Sequence, residues 1–569
     1  MGTISDKLMR IINTKEDIRQ ALISKGYDVP TSIPFKEYAK MISDLPCRVD
    51  SFPDIEGIVA RYSALGLTNE QMAANPVWVD KTGNGHDLQM KNFAWKEGSG
   101  ISDIYPGALV FDGVDDYGTC DNFPILTKEK GYTVVALRKY ITPDPKSYLI
   151  SNGDTARLAA FLVEGNFPTI QYWNFGAVGN LNYIDNLPYV YQTSKEYNGR
   201  SINKGDLNEG VTSLLVCKYG SWHSNAAIWE IVILDHDATE EELTKIKDYF
   251  VKTYPWLFFD QAWTVTGKTN EDEDRATIAN ITGNDNDLVL SNFGFAEGSG
   301  YGLYGQNYIS YAITNRAVYT KNNSSIHVTK SITAGVNFTE SARDVTIPSY
   351  RIKVTGIQSG QEMIYRGSNN TFLTNIPSDG IYVLPAVENG SNLGFQFVSY
   401  TGDCDITIEQ IPEYEGYLVT DGVDDKIVSA GPILFADKWT IITDTVFLGK
   451  VSVASGILAN NIFTIYNYQG SGTIAVTMGD GGSSLRVITS SIKAFSSDGT
   501  VYDAEWNEYH VEIGIIRALE RLLKIGTSSN ETSYFCQLAF KFLGIYNNQI
   551  LSKDDCIKAY NYLQTLKAK

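Results

Sequence analysis

From about residue 51 the chain alternates short apolar runs with turns of Gly, Asn and Asp, the rhythm of β-strands packed into sheets. The runs 132–137 (YTVVAL), 214–219 (LLVCKY) and 227–234 (AIWEIVIL) predict strands, the last long enough to be buried. Further strands are predicted at 350–355 (YRIKVT), 380–384 (GIYVL), 393–398 (LGFQFV) and 405–410 (DITIEQ). Helical spacing interrupts this texture in few places. Thr239 caps one helix, with Glu242 in the capping-box position and Leu243, Ile246, Tyr249 and Phe250 on its apolar face. Ser552 caps another, with Asp555 in the matching place and Cys556, Ala559, Tyr562 and Leu563 on the buried side.

Residues 1–46 read differently. Thr14 caps a predicted helix that carries Ile18, Ala21 and Leu22 on one face and stops at Lys25-Gly26. Pro34 opens a second, with Phe35, Tyr38, Ala39 and Ile42 as its stripe. So short a module buries little core alone, so Ile18, Leu22, Phe35, Tyr38 and Ile42 are candidate anchoring contacts to a partner or to sibling chains.

Two passages recur. Residues 82–100 return at 282–300 without a gap and with eleven identities, and 109–116 (LVFDGVDD) return at 418–425 (LVTDGVDD), now 309 positions on. The second copy has therefore gained 109 residues between the echoes, the mark of a folded unit placed in a surface loop. The expected organisation is a helical module at 1–48, a first β-sandwich at 49–258, a second built from 259–306 and 415–569, and an inserted antiparallel β-sandwich at 307–414.

The order LVFDGVDDY, then YTVVAL, then IWEIVILDHDATEEELTKIKDYF resembles the concanavalin-like, laminin-G-like jelly-roll family, over roughly both copies. The resemblance implies two jelly rolls in a mainly β chain; the family spans lectins, adhesion modules, glycosidases and structural domains. The segment TKEDIRQALISKGYDVPTSIPFKEYAKMIS is similar to a short helical module of tailed-bacteriophage structural proteins, and GDCDITIEQIPEYEGYLVTDGVDD to segments of phage proteins of gut Bacteroidales. Together these imply a virion fibre or appendage, on head, tail or baseplate.

Composition agrees with sheets: 35 Tyr, 24 Phe, 9 Trp and 49 Gly against 17 Pro. A net charge of −19 argues against nucleic acid as a partner, since phosphate attraction needs a basic face. No stretch approaches 18 apolar residues, so no membrane insertion is expected, and the first twenty residues hold no apolar signal core. Six scattered cysteines without a C-x-x-C pair read as reduced, buried thiols.

No catalytic constellation emerges. The five histidines form no H-E-x-x-H pair, and His86 and His236 become Asn286 and Asn548 in the second copy. There is no G-x-S-x-G elbow, and at 267–269 (GKT) Ala262 occupies the place of the first phosphate-loop glycine. A concanavalin-like hydrolase needs paired carboxylates as in E-x-D-x-x-E, which is absent; the acidic run 271–274 (EDED) reads as a solvated loop. Asp112, Asp115 and Asp116, with Asp421, Asp424 and Asp425, are candidate calcium ligands, weighed against a purely turn-forming role. No other cofactor is indicated. Tyr172, Trp173 and Trp222 are candidate sugar-stacking residues.

The expectation is a non-enzymatic virion protein, made in the host cytoplasm. It would be homo-oligomeric and bound through residues 1–46 to other virion proteins, and would present lectin-like domains to host-surface glycan or protein. The alternatives are a glycan-degrading enzyme on the concanavalin-like fold and a free carbohydrate-binding lectin.

Overall fold

The computed structural model describes residues 15, 19 and 52–568, less a set of segments of which the longest are 152–159, 165–187, 202–212 and 304–311. The anchoring candidates Ile18, Leu22, Phe35, Tyr38 and Ile42 lie outside the described residues, as do Tyr172 and Trp173. The chain separates into two compact units, residues 1–56 with 239–253 and residues 57–238 with 254–569. In the first, the helix Glu240–Thr253 opens with a completed capping box: Glu242 N–H donates to Thr239 Oγ1 at 3.3 Å and Thr239 N–H to Glu242 Oε2 at 2.8 Å. Phe52 meets Tyr249 edge-on, with ring centroids 4.9 Å apart.

The second unit is mainly β, and its sheets stack as sandwiches. One eight-stranded antiparallel sheet runs Gly100–Ser102, Ala108–Asp112, Asn225–Leu234, Thr133–Tyr140, Tyr189–Thr193, Glu196–Tyr197 and Arg200–Ser201, with Ile58–Ser63 also pairing on Asn225–Leu234. Another repeats the order strand for strand: Gly300–Leu303, Glu413–Val419, Leu538–Asn547, Trp439–Phe447, Ile492–Ser496, Thr500–Asp503 and Glu508–His510, with Gln261–Thr264 on Leu538–Asn547. Each faces a further sheet, of six strands in the first sandwich and eight in the second, across a core of Leu, Ile, Val and aromatic side chains. Between Gly300–Leu303 and Glu413–Val419, a five-stranded sheet (Tyr319–Lys321, Ser325–Val328, Ile406–Ile411, Tyr350–Thr355, Gly380–Leu384) and a three-stranded one (Phe372–Ile376, Met363–Arg366, Gly394–Phe397) share a third core around Ile352, Tyr365 and Phe395. Tyr350–Thr355 alternates buried and exposed residues, as a strand with one wet face must.

Asn225–Leu234 is buried on both faces after its first residue, and its outer face is covered by the second sandwich. Trp229 there meets Tyr562 of the helix Lys553–Gln564 edge-on at 5.7 Å, and Lys139 lies 5.7 Å over the same tyrosine ring. The connection 254–260 is hydrogen-bonded into both sides. Tyr254 Oη donates to Glu230 Oε2 at 2.6 Å in the first sandwich, and Tyr546 Oη of the second donates to the Trp256 carbonyl at 3.1 Å. Glu230 is also paired with Arg61 across 2.5 Å, both side chains out of solvent, so the buried charge is compensated twice.

Candidate binding site

The echoed residues fold into two like turns. In the first, Asp112 Oδ1 accepts the backbone N–H groups of Val114, Asp115 and Asp116, while Asp116 Oδ2 accepts the N–H of Asp112. In the second, Asp421 and Asp425 make the same four bonds with Val423, Asp424 and their own backbone. Gly113 and Gly422 turn the chain at φ 77° and 75°, where a side chain would press on Asn225 or Gln537. Both aspartates that end the turn, Asp116 and Asp425, are out of solvent; burial pushes each carboxyl up to about 6, and the backbone N–H of Asp112 or Asp421 bonded to it opposes the shift.

The ligand atoms of each aspartate triplet lie within 4.8 Å of one another, a spacing open to a cation. The oxygen of Asp112 or Asp421 that faces the turn is, however, already taken by three N–H donors. The hydrogen-bond pattern is that of a turn which holds itself together. Trp222 sits in the two-stranded hairpin Lys218–Tyr219 and Trp222–His223, with 40% of its surface exposed. Beside it the Lys218 ammonium stands 4.3 Å over the Tyr117 ring. The acidic run 271–274 is a loop, in which Asp272 accepts from Thr269 and Asp274 pairs with Lys268.

A second cluster escaped the sequence reading. It lies on the second sandwich, on the sheet face opposite the core. Asp444, in the strand Trp439–Phe447, is 5% exposed and accepts from Tyr417 Oη at 2.8 Å. Desolvation raises its carboxyl above the ordinary aspartate range, while Tyr417, Tyr560 and the ammonium groups of Lys541 and Lys493 pull the other way. Lys541 lies 5.3 Å over Tyr417; Lys493 lies 4.9 Å over Tyr560 and 5.3 Å over Trp506. The rings of Trp506 and Tyr560 meet edge-on at 5.6 Å. Tyr417, Lys493, Trp506 and Lys541 are each half-buried, so the group opens to solvent.

Trp506 is held in a strained conformation by its turn. Its φ of 61° is one that bulky residues rarely adopt. The turn is fixed by Asp503, whose carboxylate accepts the N–H groups of Glu505 and Asn507, the Asn507 amide and the Tyr509 hydroxyl. Nothing in the linear pattern points to this assembly, because its members come from four strands, a turn and a helix that only the sheet order brings together. The echo offered one signal: alignment on Leu109 and Leu418 sets Tyr417 against Ala108, a polar aromatic in place of a small residue.

No helix among the described residues is long and apolar enough to cross a membrane. No family model matches the chain, and no curated protein matches it. Among solved structures it is similar to an HCR/D mutant, at 10% identity and a TM-score of 0.24, covering 60% of this chain and 97% of that one. It is also similar to a structure of botulinum neurotoxin type C, whose cell entry is dependent upon interaction with two ganglioside molecules, and to the binding domain of botulinum neurotoxin DC in complex with SialylT. Both are 8% identical with a TM-score of 0.24, covering 85% of this chain and 98% of theirs. A TM-score of 0.24 is too low for these likenesses to support a shared fold or function.

Proposed function

We propose that the chain is a non-enzymatic attachment protein that presents its β-sandwiches to host-surface carbohydrate. We further propose that it does so as a fibre or appendage of a tailed-phage virion, anchored through residues 1–46 and acting as a homo-oligomer. The observation that carries the binding reading is the cluster around Asp444. Half-buried aromatic rings stand beside tyrosine hydroxyls, a carboxylate and two ammonium groups, the mixture that stacks on sugar C–H faces and satisfies sugar hydroxyls. The same cluster argues against hydrolysis. Among the described residues the side chains that shift the Asp444 carboxyl most are two tyrosines and two lysines, whereas a retaining glycosidase needs a second carboxylate about 5 Å from the first.

The virion reading rests on the likeness of residues 1–46 to phage helical modules and on the benefit of multivalency for weak surface contacts. The test of binding is a host-glycan array probed with the full chain and with Trp506→Ala; loss of signal in the variant is expected. If the full chain binds no host-surface carbohydrate, the reading fails. The virion reading is tested separately, by detecting the chain in purified particles and its absence when residues 1–46 are deleted.

A further inference from the structure

We infer that the face around Asp444 takes an acidic sugar, one whose ring carries a carboxylate. The inference rests on the carbohydrate-binding reading above and names the substrate class of that site. The chain as a whole carries −19, yet Lys493 and Lys541 both stand beside the one carboxylate of Asp444, while the carboxylates of Asp503 and Glu508 near Trp506 are each engaged, Asp503 within the turn and Glu508 by the Tyr502 hydroxyl. Among the described residues neither lysine makes an ion pair; each rests over aromatic rings at 4.9–5.3 Å. Asp444, hydrogen-bonded to Tyr417, supplies one carboxylate between two ammonium groups. Two ammonium groups that make no ion pair among the described residues, on a strongly negative protein, fit an anionic ligand, and the rings fit one with an apolar face.

Trp506 supplies that fit. A tryptophan kept at positive φ by four hydrogen bonds to Asp503 is positioned at a conformational cost, and strained residues of this kind cluster at binding sites. The sugar ring would lie against Trp506, its carboxylate between Lys493 and Lys541, and a hydroxyl against Tyr417. Among the described residues the first sandwich has no such site. Ala108 stands in the place of Tyr417, and Leu137 faces Glu230 where Asp444 faces Phe542. Its matching face is closed by the Trp229–Tyr562 contact, so the fold itself does not demand the cluster.

The test is calorimetric titration of the full chain with a sialylated oligosaccharide, a glucuronic-acid oligosaccharide and the neutral lactose. One or both acidic sugars should bind, with lactose at least roughly tenfold weaker and the affinity falling as salt rises. Lys493→Gln with Lys541→Gln should weaken acidic-sugar binding roughly tenfold or more in protein whose circular dichroism shows it still folded, and Lys493→Arg should retain it. Which acidic sugar binds distinguishes a nine-carbon acid from a uronic acid. Equal binding of acidic and neutral sugars, unmoved by the lysine changes, overturns the acidic assignment and leaves carbohydrate binding standing. Binding of none of the three, with a silent host-glycan array, overturns both.

Discussion

The Asn92 side chain donates from Nδ2 to the carbonyl oxygen of Asp115 at 2.9 Å, and Asn292 makes the same bond to Asp424 at the same length. The two echoed passages are thus in contact within each sandwich: a residue of the first clasps the turn made by the second. Both asparagines sit at positive φ, 69° and 71°, which Asn tolerates better than other non-glycine residues.

Asn92→Ala should therefore destabilise the fold by about 1–2 kcal/mol, through a lost hydrogen bond and a strained φ. Asn92→Gly relieves the strain and isolates the bond. Urea midpoints of the three proteins measure both effects; equal midpoints would show that the clasp contributes nothing.

Asp116 and Asp425 lead to a pH dependence of defined sign. Their folded carboxyls are raised to about 6, above the unfolded range of about 3.9, so the folded state holds more protons in that interval. Their contribution is fully favourable below the unfolded value and is lost as pH rises through about 6. The pair Asp116→Asn and Asp425→Asn should flatten that fall, seen as a smaller difference between urea midpoints at about pH 4 and about pH 7.

Trp229→Ala should cost about 3–5 kcal/mol, because the side chain is wholly buried and touches the other sandwich through Tyr562. Limited proteolysis reads the same change locally. Cleavage within 254–260 should become faster in the variant, and unchanged cleavage would mean that the contact does not hold the sandwiches together.

The aspartate turns, we propose, stand without calcium. A site with a Kd of about 0.1 mM would add about 2.7 kcal/mol at about 10 mM calcium. The expected outcome is no rise in the melting temperature over that range. A rise abolished by Asp115→Asn would place an ion at the turn.

Much of the fold was legible in the chain. The strands Tyr350–Thr355 and Gly380–Leu384 match their predicted runs, because alternation and turn residues are local signals. The helix Lys553–Gln564 is capped by Ser552 and buries Cys556, Ala559, Tyr562 and Leu563 as its spacing required. At 214–219 the predicted strand is broken: Cys217, at φ 59°, separates Leu214–Val216 from Lys218–Tyr219, a backbone reversal that residue type does not announce.

The amino-acid sequence by itself determined the duplication, the turns that both copies keep, the strand-forming runs and the helix caps. Each of these depends on neighbours a few residues away, and the echo exposes them by repeating them. Only the tertiary structure decided which face of each sandwich is free. Trp229 and Lys541 hold corresponding positions in the two return strands, yet one is sealed against Tyr562 and the other lies over Tyr417 beside Asp444. That difference comes from how the sheets order their strands and how one sandwich packs on the other, and such contacts join residues more than a hundred positions apart.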